Sequence, residues 1–203
     1  MDGVIVDSEP RHERAFLEIF HELGLGTSHG IDFPAYYGKS DQAVWIDFIR
    51  NHRPPHSLTE LTDRKQRRFL EMIDLEKPIF PGLPALVEKL SLKCRLAVAS
   101  GSSHPVIDGV LELDDLRRFF PVVVSAQDVE RGKPAPDIFL RAAQLLNVDP
   151  KACCVIEDSA AGVEGALAAG MSVIAITNSL PPDKLTKATH IVQNYEQISR
   201  LLL

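Results

Sequence analysis

CCVIEDSAAGVEGALAAGMSVIAIT, residues Cys153 to Thr177, carries the clearest alternation in the chain. An apolar run of strand length, Cys153 to Ile156, ends in Glu157-Asp158-Ser159. A small-residue helix over 160–169 follows, Gly170 closes it, and a second apolar run occupies 172–177. Strand, helix and strand in this order make a βαβ unit. Strands that are apolar throughout, not alternately, belong to a sheet covered on both faces. The stretch therefore predicts an α/β fold with a parallel sheet.

The same rhythm extends both ways. Toward the N-terminus it predicts a helix over 136–146, with Phe139, Leu140, Ala143 and Leu146 on one face, and a strand at 122–124. Before these come a helix over 105–113 and an apolar run over 94–99 that ends in Ser100-Gly101-Ser102-Ser103. An amphipathic helix over 84–92 opens the series. Toward the C-terminus an edge strand at 190–192 and a helix at 195–202 complete it. Before Pro78 the pattern is helical only. Ser8-Glu9-Pro10 starts one helix, Ser40 can cap a second, and a third runs over 57–75. Trp45 and the phenylalanines of this region are expected to form its own core. The chain thus divides into an α/β unit, residues 1–8 with 78–203, and an α-helical insert, 9–77.

Bulk properties narrow the function. The 203 residues are 45% hydrophobic and 25% charged, an ordinary globular balance. A net charge of -6 and 6% aromatic residues argue against a nucleic-acid partner. No signal peptide and no membrane-spanning run is read, so a cytoplasmic location is expected. The three cysteines, Cys94, Cys153 and Cys154, have no metal-ligand spacing and are expected as buried, reduced thiols.

In a parallel α/β sheet, ligands bind beyond the carboxyl ends of the strands. The chain delivers Asp2, Gly3 and Asp7 near its start, Ser100-Gly101-Ser102 after 94–99, Arg131-Gly132-Lys133-Pro134 after 122–124, and Glu157-Asp158-Ser159 after 153–156. Carboxylates suit Mg2+. Hydroxyls, backbone amides and an ammonium suit phosphate. In isolation each has an ordinary reading: a turn at 100–102, a loop lysine, acids at a helix N-terminus. Asp7 and Ser8 read as a turn acid and a helix cap. The basic run Arg64-Lys65 and Arg67-Arg68 reads as a solvated helix face.

Four blocks in order carry a resemblance: Asp2-Gly3-Val4-x-x-Asp7-Ser8; Val98-Ala99-Ser100-Gly101-Ser102; Gly132-Lys133-Pro134-Ala135-Pro136-Asp137; and Ile156-Glu157-Asp158-Ser159-Ala160-Ala161-Gly162 with Ala168-Ala169-Gly170-Met171. The chain resembles the haloacid dehalogenase superfamily, and within it the β-phosphoglucomutase and phosphoglycolate-phosphatase group. The resemblance implies a Rossmann-like core with an α-helical cap after the first strand. It also implies Mg2+-dependent phosphoryl transfer through an aspartyl-phosphate. Asp2 then matches the proton-shuttling second acid of an Asp-x-Asp pair. Ser100, Gly101 and Ser102 match the phosphate-binding turn, Lys133 matches the catalytic cation, and Asp2, Glu157 and Asp158 match the metal-binding acids. His12 resembles a histidine of the mutase-type members, against the reading of a solvated helix histidine. Lys39 lies in a cap loop that could contact substrate. Asp41 stands where the mutases tend to place an arginine.

The attacking aspartate of that pair would fall immediately before Met1. The chain as given is therefore expected to be impaired. Its sheet is expected to open between the strands at 94–99 and 153–156, because strand neighbours lie about 4.8 Å apart and cannot pair across twice that spacing. Two accounts stand: a start at an internal methionine of a longer product, which is preferred, or a genuine start. The leading expectation is a phosphatase of small phosphorylated metabolites, monomeric. A sugar-phosphate mutase and an inactive phosphate- or metal-binding remnant are the alternatives.

Overall fold

A computed structural model describes residues 1–36 and 41–203. It resolves into two compact units, Met1–Asp7 with Pro78–Leu203, and Ser8–Lys77.

The Ser8–Lys77 unit contains α1 (Glu9–Glu22), α2 (Asp41–His52) and α3 (Leu58–Glu76). Helix α3 starts where Ser57 Oγ accepts the Glu60 amide at 3.2 Å, and it stops at Lys77 in the left-handed conformation. Ser8, expected as a cap, makes no side-chain cap bond; it is buried in helical geometry. Ser40, the expected cap of α2, lies outside the described residues. The core is aromatic, as expected: Phe16, Phe20, Trp45 and Phe48 pack with Ile19, Val44 and Leu61. The Trp45 ring meets Phe20 and Phe48 edge-on, with centroids 5.6 and 5.7 Å away. Its Nε1–H is buried and has no hydrogen-bond partner among the described residues. Phenylalanine at this position removes that unsatisfied donor while keeping most of the ring. Trp45→Phe is therefore expected to cost under about 1.5 kcal/mol. Trp45→Ala should cost about 3–5 kcal/mol, both read by urea unfolding.

One expectation fails in this unit. Lys65 does not belong to a solvated face; it is 1% exposed. It sits on the apolar stripe of α3 between Leu61 and Phe69, its ammonium 4.9 Å from the Phe16 ring and 5.1 Å from the Phe69 ring. The arginines do face solvent, and Arg64 and Arg68 pair with Glu22 at 2.6 and 2.7 Å.

The α/β unit follows the predicted alternation: α4 (Leu83–Ser91), β1 (Ala97–Ser100), α5 (His104–Glu112), β2 (Val122–Ser125), α6 (Asp137–Leu146), β3 (Cys154–Glu157), α7 (Ala160–Ala168), β4 (Ser172–Ile176), β5 (His190–Val192) and α8 (Tyr195–Leu202). Every ladder is parallel. β1 pairs with β2 in the register Ala97↔Val122 to Ser100↔Ser125. β3 pairs with β4, and β4 with β5. Among the described residues no ladder joins β1 to β3, so the sheet is interrupted between them, as expected. Residues 1–6 do not fill the interruption. They form a tight turn in which the Met1 carbonyl accepts the amides of Val4 and Ile5, and Val6 bridges to Ile79. One apolar core still spans both half-sheets. Ile138, Phe139, Ala142 and Ala143 of α6 and Val163 and Ala166 of α7 are buried with Val124 and Val173; Ala97, Ala99 and Val155 pack against them.

The thiols also depart from expectation. Cys94 and Cys154 are exposed and Cys153 is half-buried. Cys94 precedes β1, and Cys154 begins β3, which among the described residues has no strand on the edge away from β4. Among the described residues no helix is long and apolar enough to cross a membrane.

Candidate functional site

The carboxyl ends of β1, β2, β3 and β4 and the turn at residues 1–6 bring most of the predicted residues together. β1 ends on Ser100, which is 1% exposed. The Ser102 hydroxyl donates to Asp2 Oδ2 at 2.9 Å, and the Ser100 hydroxyl donates to the same oxygen at 3.3 Å. Ser100 Oγ in turn accepts the Ser102 amide at 3.1 Å, which folds the loop over the strand end. Gly101 is exposed, with open space where a side chain would stand. Ser125, one strand over and in register with Ser100, donates to the Ser102 carbonyl at 2.7 Å and fixes the loop from below.

β3 ends on Glu157, which is 4% exposed. Its Oε1 pairs with Lys133 Nζ. Its Oε2 accepts the amides of Asp158 and Ser159 at 3.0 and 3.1 Å and the Ser159 hydroxyl at 2.9 Å. Ser159 also caps α7 by accepting the Gly162 amide at 3.0 Å. A Cβ on Gly162 would lie 2.1 Å from the Glu157 carboxyl carbon, so only glycine leaves this carboxylate its place. Burial pushes the Glu157 carboxyl up, but the Lys133 ammonium and the backbone amides outweigh it and hold it at about 2. Asp158 has the opposite balance. Burial and the neighbouring Glu157 charge push its carboxyl up to about 7, against the Ser179 hydroxyl bonded to its Oδ2. Gly3, at φ +65°, lets the first turn close onto that carboxylate: a Cβ there would lie 1.8 Å from Asp158 Oδ2.

The three acids expected at a metal are therefore not drawn into one ligand set. Among the described residues no three His, Cys, Asp or Glu side chains converge. Glu157 is turned to Lys133 and its own loop, where its charge is already met. Asp2 faces the serines. Asp158 keeps a buried carboxylate, bonded by the Ser179 hydroxyl. Its oxygens are of the kind that suits a hard divalent ion such as Mg2+.

His12 belongs to the helical unit, where it stacks on Phe69 at 4.0 Å and its Nδ1 meets the Lys65 ammonium. Lys65 also pairs with Asp41 at 2.7 Å. Lys39 lies outside the described residues. Sequence reading missed Ser125, Asn178, Ser179 and Tyr195. Ser125 and Ser179 carry a readable signal, since each is a hydroxyl at or just past a strand's carboxyl end.

Comparisons with known proteins place the chain among known families. A family model described as haloacid dehalogenase-like hydrolase matches residues 1–170. Hexitol phosphatase B of Escherichia coli (strain K12) is 32% identical over 178 residues, covering 87% of this chain and 80% of that protein. Fructose-1-phosphate phosphatase YqaB of the same organism is 32% identical over 180 residues, covering 86% and 92%. Among solved structures, a β-phosphoglucomutase from Clostridium difficile superposes with a TM-score of 0.80 at 25% identity, covering 97% of this chain and 89% of that one.

Proposed function

The chain belongs to the haloacid dehalogenase-like hydrolases, and on that premise we propose that it is a Mg2+-dependent phosphatase of small phosphorylated sugars or polyols. We also propose that an aspartyl-phosphate forms on a carboxylate immediately before Met1. The observation that carries the reading is the pairing of two arrangements in one unit. Ser100 and Ser102 hold Asp2, and Lys133 is held by Glu157, all at the carboxyl ends of parallel strands.

Each residue has a distinct task. Lys133, bound to Glu157, presents positive charge to the phosphoryl group. Ser100 and Ser102 supply hydroxyl groups to its oxygens and orient Asp2. The Asp158 carboxylate and the Asp2 main-chain carbonyl would hold Mg2+, which when bound adds positive charge against the transferring oxygens. The attacking carboxylate forms a P–O bond as the ester P–O bond breaks, and Asp2 gives its proton to the departing alcohol oxygen. Water then attacks phosphorus. Asp2 takes its proton, and the acyl-phosphate bond breaks to release phosphate and the free carboxylate.

Support for the upstream carboxylate comes from the interrupted sheet. Among the described residues β1 pairs only with β2, and β3 only with β4, which leaves each an open edge that a strand leading into Met1 could fill. Asp41 favours hydrolysis over mutase chemistry. It is an acid neutralised by Lys65, not a cation offered to a second phosphate. Phosphate release from a panel of hexitol, hexose and glycol monophosphates, by the chain extended with a strand ending in aspartate, tests the reading. Hexose 1-phosphate converted to the 6-phosphate without phosphate release would replace it with the mutase.

A further inference from the structure

Resting on that reading, we propose that Asn178 and Tyr195 are positioning residues that hold the Asp2-Gly3-Val4 turn in the geometry proton transfer requires. Asn178 leaves the end of β4, just after Thr177, whose amide donates to the Val192 carbonyl at 3.0 Å. Its Nδ2 donates to the Gly3 carbonyl at 2.8 Å and to the Tyr195 hydroxyl at 3.0 Å. That hydroxyl donates onward to the Val4 carbonyl at 2.8 Å. Two consecutive carbonyls of the turn are thus held by one connected pair of side chains. Fixing these two adjacent peptide planes restrains the turn directly after Asp2.

The pair is itself anchored. Tyr195 is 9% exposed and opens α8, whose start is capped by Asn194 Oδ1 accepting the Gln197 amide at 3.1 Å. The Tyr195 ring lies 6.2 Å from Phe80 and beneath Gly82, where an added Cβ would be 3.8 Å from Tyr195 Cβ. Burial pushes the phenol well above its usual range, so it stays a neutral donor throughout the physiological range. The side chain of Asp2 is gripped by Ser100 and Ser102, and the two residues that follow it in the turn are held by this pair. Precise placement of a proton donor matters because small displacements cost rate steeply.

Tyr195→Phe keeps the ring and removes the hydroxyl; Asn178→Ala removes the second link. Both are made in the extended, catalytically competent chain. Two readouts are taken: kcat/KM for p-nitrophenyl phosphate and for an alkyl phosphate, and amide hydrogen exchange at residues 3–6. A misplaced proton donor hurts a poor leaving group and spares a good one. The expected result is faster exchange in the turn, with alkyl phosphate turnover falling about tenfold more than aryl turnover. A merely structural loss of folded enzyme would lower both substrates equally, and that outcome overturns the proposal, as does unchanged exchange. A parent chain with no phosphatase activity but a turn loosened by the substitutions would sink the functional reading instead.

Discussion

Lys133→Met is expected to abolish phosphate release and to weaken the fold at the same time. Lys133 neutralises Glu157, a carboxylate only 4% exposed. Removing one partner of a buried pair strands the other, a loss of about 3–5 kcal/mol. The activity loss has a separate origin: in the proposed mechanism the ammonium is the cation offered to the transferring group, a contribution worth about 10²–10³ in kcat. The double variant Lys133→Met with Glu157→Gln separates the two effects. Glutamine keeps a carbonyl oxygen for the Asp158 and Ser159 amides and carries no charge to strand. The double variant should recover most of the stability in a urea titration and none of the activity. Recovery of both would show that Lys133 is structural only.

Gly3→Ala should be the most damaging single-atom-scale change near the turn. Gly3 adopts φ +65°, which costs a residue with a Cβ about 1–2 kcal/mol. The added carbon would also lie 1.8 Å from Asp158 Oδ2 and 2.5 Å from Ser179 Oγ. Either the turn opens or Asp158 leaves its place, and both disturb the groups assigned to Mg2+. Melting of the variant should fall modestly, and activity should become undetectable. The Mg2+-induced rise in melting temperature that the parent is expected to show should vanish. A variant with parental Mg2+ response and turnover would remove Asp158 and the first turn from the site.

Much of this was legible in the sequence, for a physical reason. Strand ends and helix starts are local events, so Ser100, Lys133, Glu157 and Asp158 could be placed at one edge from periodicity and turn chemistry alone. The interruption of the sheet was legible only through the family resemblance, which implies a central strand between those at 94–99 and 153–156; strand spacing then says that these two cannot pair directly. What failed depended on partners far along the chain. Lys65 occupies the i+4 and i−4 positions of Leu61 and Phe69, so its helical register pointed inward. The surrounding arginines hid that signal, and Asp41, which neutralises it, is 24 residues away. Glu157 was expected at a metal because the family resemblance implies it. That it pairs with Lys133 is visible only in the fold. Asn178 and Tyr195 carry no local signature at all. An amide and a phenol acquire a role only when β4 and α8 place them against the carbonyls of residues 3 and 4.

Whether a carboxylate immediately before Met1 completes the proposed phosphoryl-transfer site is decided by initial rates of Mg2+-dependent p-nitrophenyl phosphate hydrolysis, compared among three chains: the 203 residues as given, the same chain preceded by an apolar strand ending in aspartate, and that extension ending in asparagine. Turnover is expected from the aspartate form alone, with the other two slower by at least about 10³-fold. Equal turnover by the 203-residue chain would contradict the proposal.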